Sequence, residues 1–193
     1  MARIREFDTE AAVDAAMTAF RRKGYAGTSI QDLVDATGVG RGSLYAAFDN
    51  KEGLYLAAMD RYREQYASPL IEVLHSGAPA RDLIREVLVG IVDDVVRDGD
   101  RQACLIVGAA TERAPWDPQV ARRLQTTTGS LEDALTEVID AAQADGQVTS
   151  PRDARHLARF LLAFIQGLRV MASIDPDRRS LMTAAEVALN CLD

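Results

Sequence analysis

Apolar residues recur at three- and four-residue spacing along nearly the whole 193-residue chain, and nowhere in sustained alternation. That period belongs to the α-helix; a half-buried strand would alternate every second residue. The pattern predicts an all-α fold of about nine helices. Val13, Ala16, Met17 and Phe20 set the first apolar face, on a helix from about Thr9 to Lys23 that Gly24 stops. Asp8 or Thr9 caps its start. Thr28-Ser29-Ile30-Gln31 reads as a capping box opening a second helix at Thr28, with Ile30, Leu33 and Val34 turned inward and Gly38 at its end. A short third helix runs from about Arg41 to Phe48 and is anchored by Leu44 and Phe48. Asn50 caps a long fourth helix from Lys51, which Pro69 kinks or ends. Breaks at Ser76–Pro79, Asp98–Asp100, Ala114–Pro118, Asp145–Pro151 and Asp175-Pro176 mark out further helices over 80–97, 102–112, 118–145, 152–173 and 177–191.

Composition narrows the classes. Hydrophobic residues are 48% and charged residues 26%, which suits a packed core. No apolar run reaches the roughly 18 to 20 residues that span a bilayer, and the N-terminus lacks a secretory pattern. Two isolated cysteines, Cys104 and Cys191, argue against a disulfide framework or zinc site and suit a reducing cytoplasm. No metal or other cofactor is expected. The net charge of −7 is unevenly placed. Residues 1–51 carry seven basic and seven acidic residues, so the excess acid lies entirely in the remainder. A neutral head on an acidic body allows one end to face phosphates.

The second helix, the Gly38-Val39-Gly40 turn and the short third helix form a helix-turn-helix. The major groove admits one α-helix, and a preceding helix must brace it. Gly38 supplies the positive φ that such a turn needs. The predicted organisation is a DNA-binding domain over residues 1–50 and a helical ligand-binding and dimerisation domain over 51–193.

These residues carry a resemblance. Gly24-Tyr25, Thr28-Ser29-Ile30, Leu33-Val34, Gly38-Val39, Gly42-Ser43-Leu44-Tyr45, Phe48 and Lys51-Glu52-x-Leu54 together resemble the TetR family of transcriptional regulators, most strongly over residues 9–60. The segment from Ala103 to Glu112 also resembles a stretch found in one branch of that family. The resemblance implies a homodimer whose two heads enter major grooves of a near-palindromic operator. It also implies a small-molecule effector that changes the spacing of the heads, which makes the chain a ligand-responsive repressor. It places Tyr45 and Lys51 against the DNA backbone. A phenol hydroxyl and an ammonium near the two ends of the third helix can clamp one strand.

Other residues of the head follow from the same geometry. Thr28 and Ser29 can meet phosphate at the start of the second helix. Gln31 and Arg41 are the hydrogen-bonding residues for base edges, since Gln pairs with adenine and Arg with guanine. Gly42, Ser43, Ala46 and Ala47 complete the outer face of the third helix but offer little hydrogen bonding. Ala46 and Ala47 can touch thymine methyls, whereas family members often carry a larger residue near there. Arg3 and Arg5 are read either as a minor-groove arm or as a loose tail.

In the body, Met59, Tyr62, Tyr66, Cys104, Trp116, Phe160, Phe164 and Met171 are the residues expected to line an effector pocket, against a reading of each as simple core. Leu157, Phe160, Leu161, Phe164, Leu168 and Met171, with Leu181, Ala184, Ala185, Ala188 and Leu192, form two stripes expected to make a four-helix dimer interface. The other reading of those stripes is burial within one chain. An alternative role for Cys104 is a thiol that senses electrophiles or oxidants, favoured by Arg101 and a helix start; the competing reading is a small buried hydrophobe. An enzyme has no support, because no phosphate loop, metal-spaced cluster or nucleophile signature is present. A helical interaction module that has lost DNA binding is opposed by retention of Tyr45 and Lys51.

Overall fold

The computed structural model describes residues 7–97 and 104–193. Among them there is no strand. The helices are α1 (Thr9–Gly27), α2 (Ile30–Thr37), α3 (Arg41–Phe48), α4 (Lys51–Tyr62), a π-helical turn (Arg63–Ala67), α5 (Ser68–Leu74), α6 (Ala80–Arg97), α7 (Leu105–Glu112), α8 (Pro118–Ala144), α9 (Ala154–Ile174), α10 (Arg178–Leu189) and a closing 3₁₀ turn (Asn190–Leu192). Because α4, the π turn and α5 run on without a break, these elements make nine helical rods.

Most helix ends lie where their chemistry put them. The Asp8 carboxylate accepts from the Ala11 N–H and caps α1. Gly24 breaks the helical path at φ 71°, ψ 174°, and one further turn follows it. The start of α2 differs from the sequence expectation. Ser29, not Thr28, is the N-cap, and Asp32, not Gln31, completes the capping box. A carboxylate three residues after the hydroxyl is the better partner for the cap N–H because its hydrogen bond is charge-assisted. Pro69 does not end the fourth rod. The chain widens into the π turn just ahead of it, which relieves the clash a proline ring makes with the carbonyl four residues earlier.

The chain forms two compact units, Met1–Gln65 with Ala103–Leu124, and Tyr66–Gln102 with Gln125–Asp193. The expected boundary at residue 50 falls inside the first of these units. α4 packs on α1 and α3, and α7 packs on α1, so both belong with the head. The first unit buries Ala16, Met17, Phe20, Leu33, Leu44, Leu54, Tyr55 and Ala58. Phe20 and Tyr55 meet edge-on at 4.9 Å between ring centroids, and so do Tyr25 and Tyr55. The Arg61 guanidinium ties α4 to α1 by donating to both oxygens of Asp14.

The second unit has one continuous core of α5, α6, α8, α9 and α10 residues. Leu157, Leu161 and Leu168 of α9 lie in it, as do Leu181 and Ala185 of α10 and Leu192 beyond it. α9 runs 21 residues, and its most apolar 18-residue stretch, at a mean hydropathy of 1.5, is long and apolar enough by length and composition to cross a membrane, although arginines interrupt it. One side of it belongs to this core. The stripes read as a dimer interface are therefore mostly intrachain packing: Leu157, Leu161, Leu168, Leu181, Ala185 and Ala188 are buried by their own subunit, and Ala184 is half-buried. The periodicity was that of a core helix, and a stripe cannot tell its own chain's neighbours from a partner's.

Candidate nucleic-acid interface

The helix-turn-helix is built as its residues require. Gly38 closes α2 in the left-handed region at φ 67°, ψ 8°, and its N–H donates to the Val34 carbonyl. The Thr37 hydroxyl then accepts from the Val39 N–H at 3.1 Å. Gly40 starts α3 without any side-chain cap, so the first N–H groups of that helix are left to solvent or a ligand. Leu44 is the buried anchor of α3, and Phe48 is half-buried. Arg41, Gly42, Ala46 and Ala47 are exposed, and Ser43 and Tyr45 are partly so. The expected outer face of α3 is thus the observed one. The Arg41 guanidinium lies 5.2 Å from the Tyr45 ring centroid, so the two longest side chains of this face hold one another.

On α2, Gln31 is exposed and donates to the Asp35 carboxylate at 2.8 Å. Ser29 is exposed and engaged with Asp32: its hydroxyl donates to the carboxylate at 2.6 Å and accepts from the Asp32 N–H at 3.1 Å. Hydrogen bonds from Lys23 and from Ser29 hold the Asp32 carboxyl far below the usual carboxylate range. Thr28 is a correction. It is fully buried, its hydroxyl donates to the Gly24 carbonyl at 2.6 Å and its N–H donates to the Tyr25 carbonyl at 3.3 Å. Its polar atoms secure the α1–α2 corner and do not face outward. Arg3 and Arg5 lie outside the described residues, as does Arg101.

Lys51 follows a sharp turn the sequence reading missed. Asp49 has φ 64°, ψ −51°, and the Asn50 N–H donates to the Phe48 carbonyl at 2.7 Å. That is a classic γ-turn, rare and strained for a non-glycine residue. Asn50 then caps α4 by accepting from the Gly53 N–H. Lys51 is the first residue of α4, as its sequence predicts. It is half-buried, and its Nζ stands 4.2 Å from the centroid of Tyr25. Partial burial lowers its pKa from the ordinary lysine value.

Tyr25 belongs to the residues that carry the family resemblance, and the sequence assigns it no role. It sits among charged groups of α7. The Arg113 guanidinium lies 4.1 Å from its ring centroid and also pairs with Asp117 and, at 3.6 Å, with Glu52. The Glu112 carboxylate accepts from the Tyr25 N–H at 2.8 Å and from the Ala26 N–H at 2.6 Å. These are the N–H groups left free where Gly24 interrupts α1. Nothing in a single stretch of sequence joins residues 87 positions apart.

The residues expected around an effector divide. Met59, Tyr62 and Cys104 are buried in the first unit, and the Tyr62 hydroxyl donates to Cys104 Sγ at 3.4 Å. Cys104 caps α7 and does not sit inside it. Tyr66 and Phe164 are half-buried in the second unit. Trp116 is 85% exposed, Met171 55% and Phe160 48%, and Phe160 borders a half-open cleft of the second unit with His156, Leu157 and Cys191. Trp116 lies in the turn ahead of α8 and is exposed there. Phe160 and Met171 lie on a flank of α9 beside its core leucines that their own chain leaves exposed.

An exposed, self-braced helix after a glycine turn, followed across a γ-turn by a lysine, defines a helix-turn-helix regulator that binds DNA. Comparison with known proteins agrees. Residues 12–58 match the family model for bacterial regulatory proteins of the tetR family, and residues 79–193 match that for the C-terminal region of BetI-type transcriptional repressors. The chain is 33% identical to an uncharacterised HTH-type transcriptional regulator, YezE, of Bacillus subtilis, over the full length of both. It is 31% identical to the HTH-type transcriptional repressor ComR of Escherichia coli, over 95% of this chain and 88% of that one. Among solved structures, a cysteine mutant of the TetR family transcriptional regulator CifR complexed with 26-base-pair operator DNA matches with a TM-score of 0.88, 31% identity and full coverage of both chains. The chain belongs to the TetR family of transcriptional regulators.

Proposed function

We propose that this protein is a homodimeric repressor that holds an operator through α3 and α4 and releases it when a small molecule binds the helical body. The observation that carries the DNA contact is the outer face of α3. Arg41, Gly42, Ser43, Tyr45, Ala46 and Ala47 are displayed together, with an uncapped helix start and with Lys51 just past the γ-turn. Tyr45 and Lys51 hold phosphates, and Ser29 joins them from α2. Arg41 and Gln31 read base edges, once Arg41 leaves the Tyr45 ring and Gln31 leaves Asp35. Ala46 and Ala47 meet thymine methyls. Support for repression comes from the BetI-type repressor match and from the relative named as a repressor.

The dimer face is the side of α9 that its own chain leaves bare. Phe160, Phe164, Gly167, Met171 and Ile174 follow one helical stripe, and Val170 and, on α10, Val187 extend it. A Cβ added at Gly167 would meet no atom within 4 Å, so this point admits close approach of a second helix. Effector binding moves the heads from the spacing of about 34–36 Å that successive major grooves require.

The test uses a duplex selected by the full chain from a random-sequence pool. Operator affinity is measured against salt. Lys51→Ala lowers the slope of log K against log salt by about one per head, while Lys51→Arg keeps it. An unchanged slope for Lys51→Ala removes Lys51 from the interface.

A further inference from the structure

We propose that Tyr25 is the positioning residue for Lys51, and that Glu112 and Arg113 at the C-terminal end of α7 hold Tyr25 in place. This rests on the reading of Lys51 as a phosphate contact.

Lysine is a poor clamp by itself. Its ammonium rides on a four-carbon stem with large rotamer freedom, which must be lost on binding. Here the freedom is already reduced. The Lys51 Nζ sits 4.2 Å from the Tyr25 centroid, within cation–π range. An ammonium has three donors, so it can keep the ring and still reach a phosphate oxygen. The ring in turn is fixed from several sides. Phe20 and Tyr55 pack against it, and the Arg113 guanidinium stands 4.1 Å from the same centroid. Arg113 is oriented by Asp117 and Glu52, and its buried Nε has no hydrogen-bond partner.

The backbone of Tyr25 is fixed as well. Gly24 leaves the helical path, which frees the N–H groups of Tyr25 and Ala26, and both donate to Glu112. A Cβ on residue 24 would stand 3.0 Å from the Glu112 carboxylate, so the glycine allows the approach. Glu112 ends a helix of eight residues and Arg113 is its C-cap, and together they grip the main chain and the ring of one tyrosine. A shift of α7 along its axis therefore reaches Lys51 through Tyr25, without passing through the recognition helix.

The experiment is a double-mutant cycle read by operator affinity, on the pool-selected duplex, with the full chain. Tyr25→Leu, which removes the aromatic face, weakens binding about two- to tenfold in the Lys51 background. In the Lys51→Ala background it has no further effect. Tyr25→Phe keeps the wild-type affinity, because the ring and not the hydroxyl does the positioning. Glu112→Gln weakens binding in the Lys51 background and is silent with Lys51→Ala. Circular dichroism confirms that each variant is folded. Equal weakening by Tyr25→Leu or Glu112→Gln in both backgrounds overturns the proposal in favour of a general structural role. Should Tyr25→Leu fail to fold, the Glu112→Gln and Tyr25→Phe arms decide. If Lys51→Ala alone leaves affinity and salt slope unchanged, the phosphate reading of Lys51 fails, and the positioning role falls with it.

Discussion

Two glycines of the head share nearly the same φ, and replacing each by alanine should have clearly different costs. Gly24 has φ 71°, ψ 174°; Gly38 has φ 67°, ψ 8°. Gly38 is in the left-handed helical well, where an L residue loses roughly 1–2 kcal/mol. Part of that is offset by about 0.4–1 kcal/mol, because alanine restricts the unfolded chain. No atom lies within 4 Å of a Cβ there. Gly38→Ala is therefore expected to destabilise by about 0.5–1 kcal/mol. Gly24 is in the extended positive-φ region that is essentially glycine's alone, worth about 1–3 kcal/mol of strain. The new Cβ also lies 3.0 Å from Glu112, whose carboxylate must retreat from the Tyr25 and Ala26 N–H groups. Those bonds are partly solvated, so their loss adds only about 1 kcal/mol. After the same unfolded-state offset, Gly24→Ala should destabilise by about 2–3 kcal/mol, a fall in Tm of roughly 4–12 °C for a chain of this size. Urea and thermal unfolding followed by far-ultraviolet circular dichroism measure both variants. If Gly24→Ala costs no more than Gly38→Ala, the Glu112 contact and the strain assignment at residue 24 are both wrong.

Ile174→Glu, on the bare side of α9 where Ile174 is 72% exposed, should convert a dimer to monomer in sedimentation velocity while leaving the helical content unchanged. Persistence of the dimer would move the interface elsewhere. Asp49→Gly relieves the positive-φ strain of the γ-turn and should raise stability by up to about 1 kcal/mol in urea denaturation, where a loss would contradict the turn. Burial pushes the Asp117 carboxyl up, but hydrogen bonds from Arg113 and from the Val120 and Gln119 N–H groups outweigh it, and its pKa is lowered overall. The ionised carboxylate is thus favoured by folding. Its contribution is present above about pH 4 and is lost as the pH falls through its depressed value. Asp117→Asn should accordingly flatten the acid limb of a Tm–pH profile, and an unaltered limb would remove Asp117 from the account.

Sequence alone determined the local chemistry. The three- and four-residue spacing made the chain helical. Asp8, Gly38, Asn50 and the Arg41–Phe48 span placed the elements of the head, because caps, left-handed stops and helix periodicity act over four residues or fewer. The outer face of α3 was legible for the same reason: once Leu44 points inward, helix geometry decides the rest. Thr28 and Ser29 show the limit of that reading. Both are hydroxyl residues at a helix start, and only the corner with α1 decided that Thr28 turns in and Ser29 caps.

Tertiary structure alone decided which side of each apolar stripe its own chain would cover. The α9 leucines looked available to a partner, yet they lie in the second unit's core, and the bare side carries Phe160, Met171 and Ile174. It also decided the surroundings of Tyr25. A ring, two backbone N–H groups, a carboxylate and two cations meet there from three separated stretches of chain. The attraction between such groups falls off within a few ångströms, so it has no signature until folding brings them together.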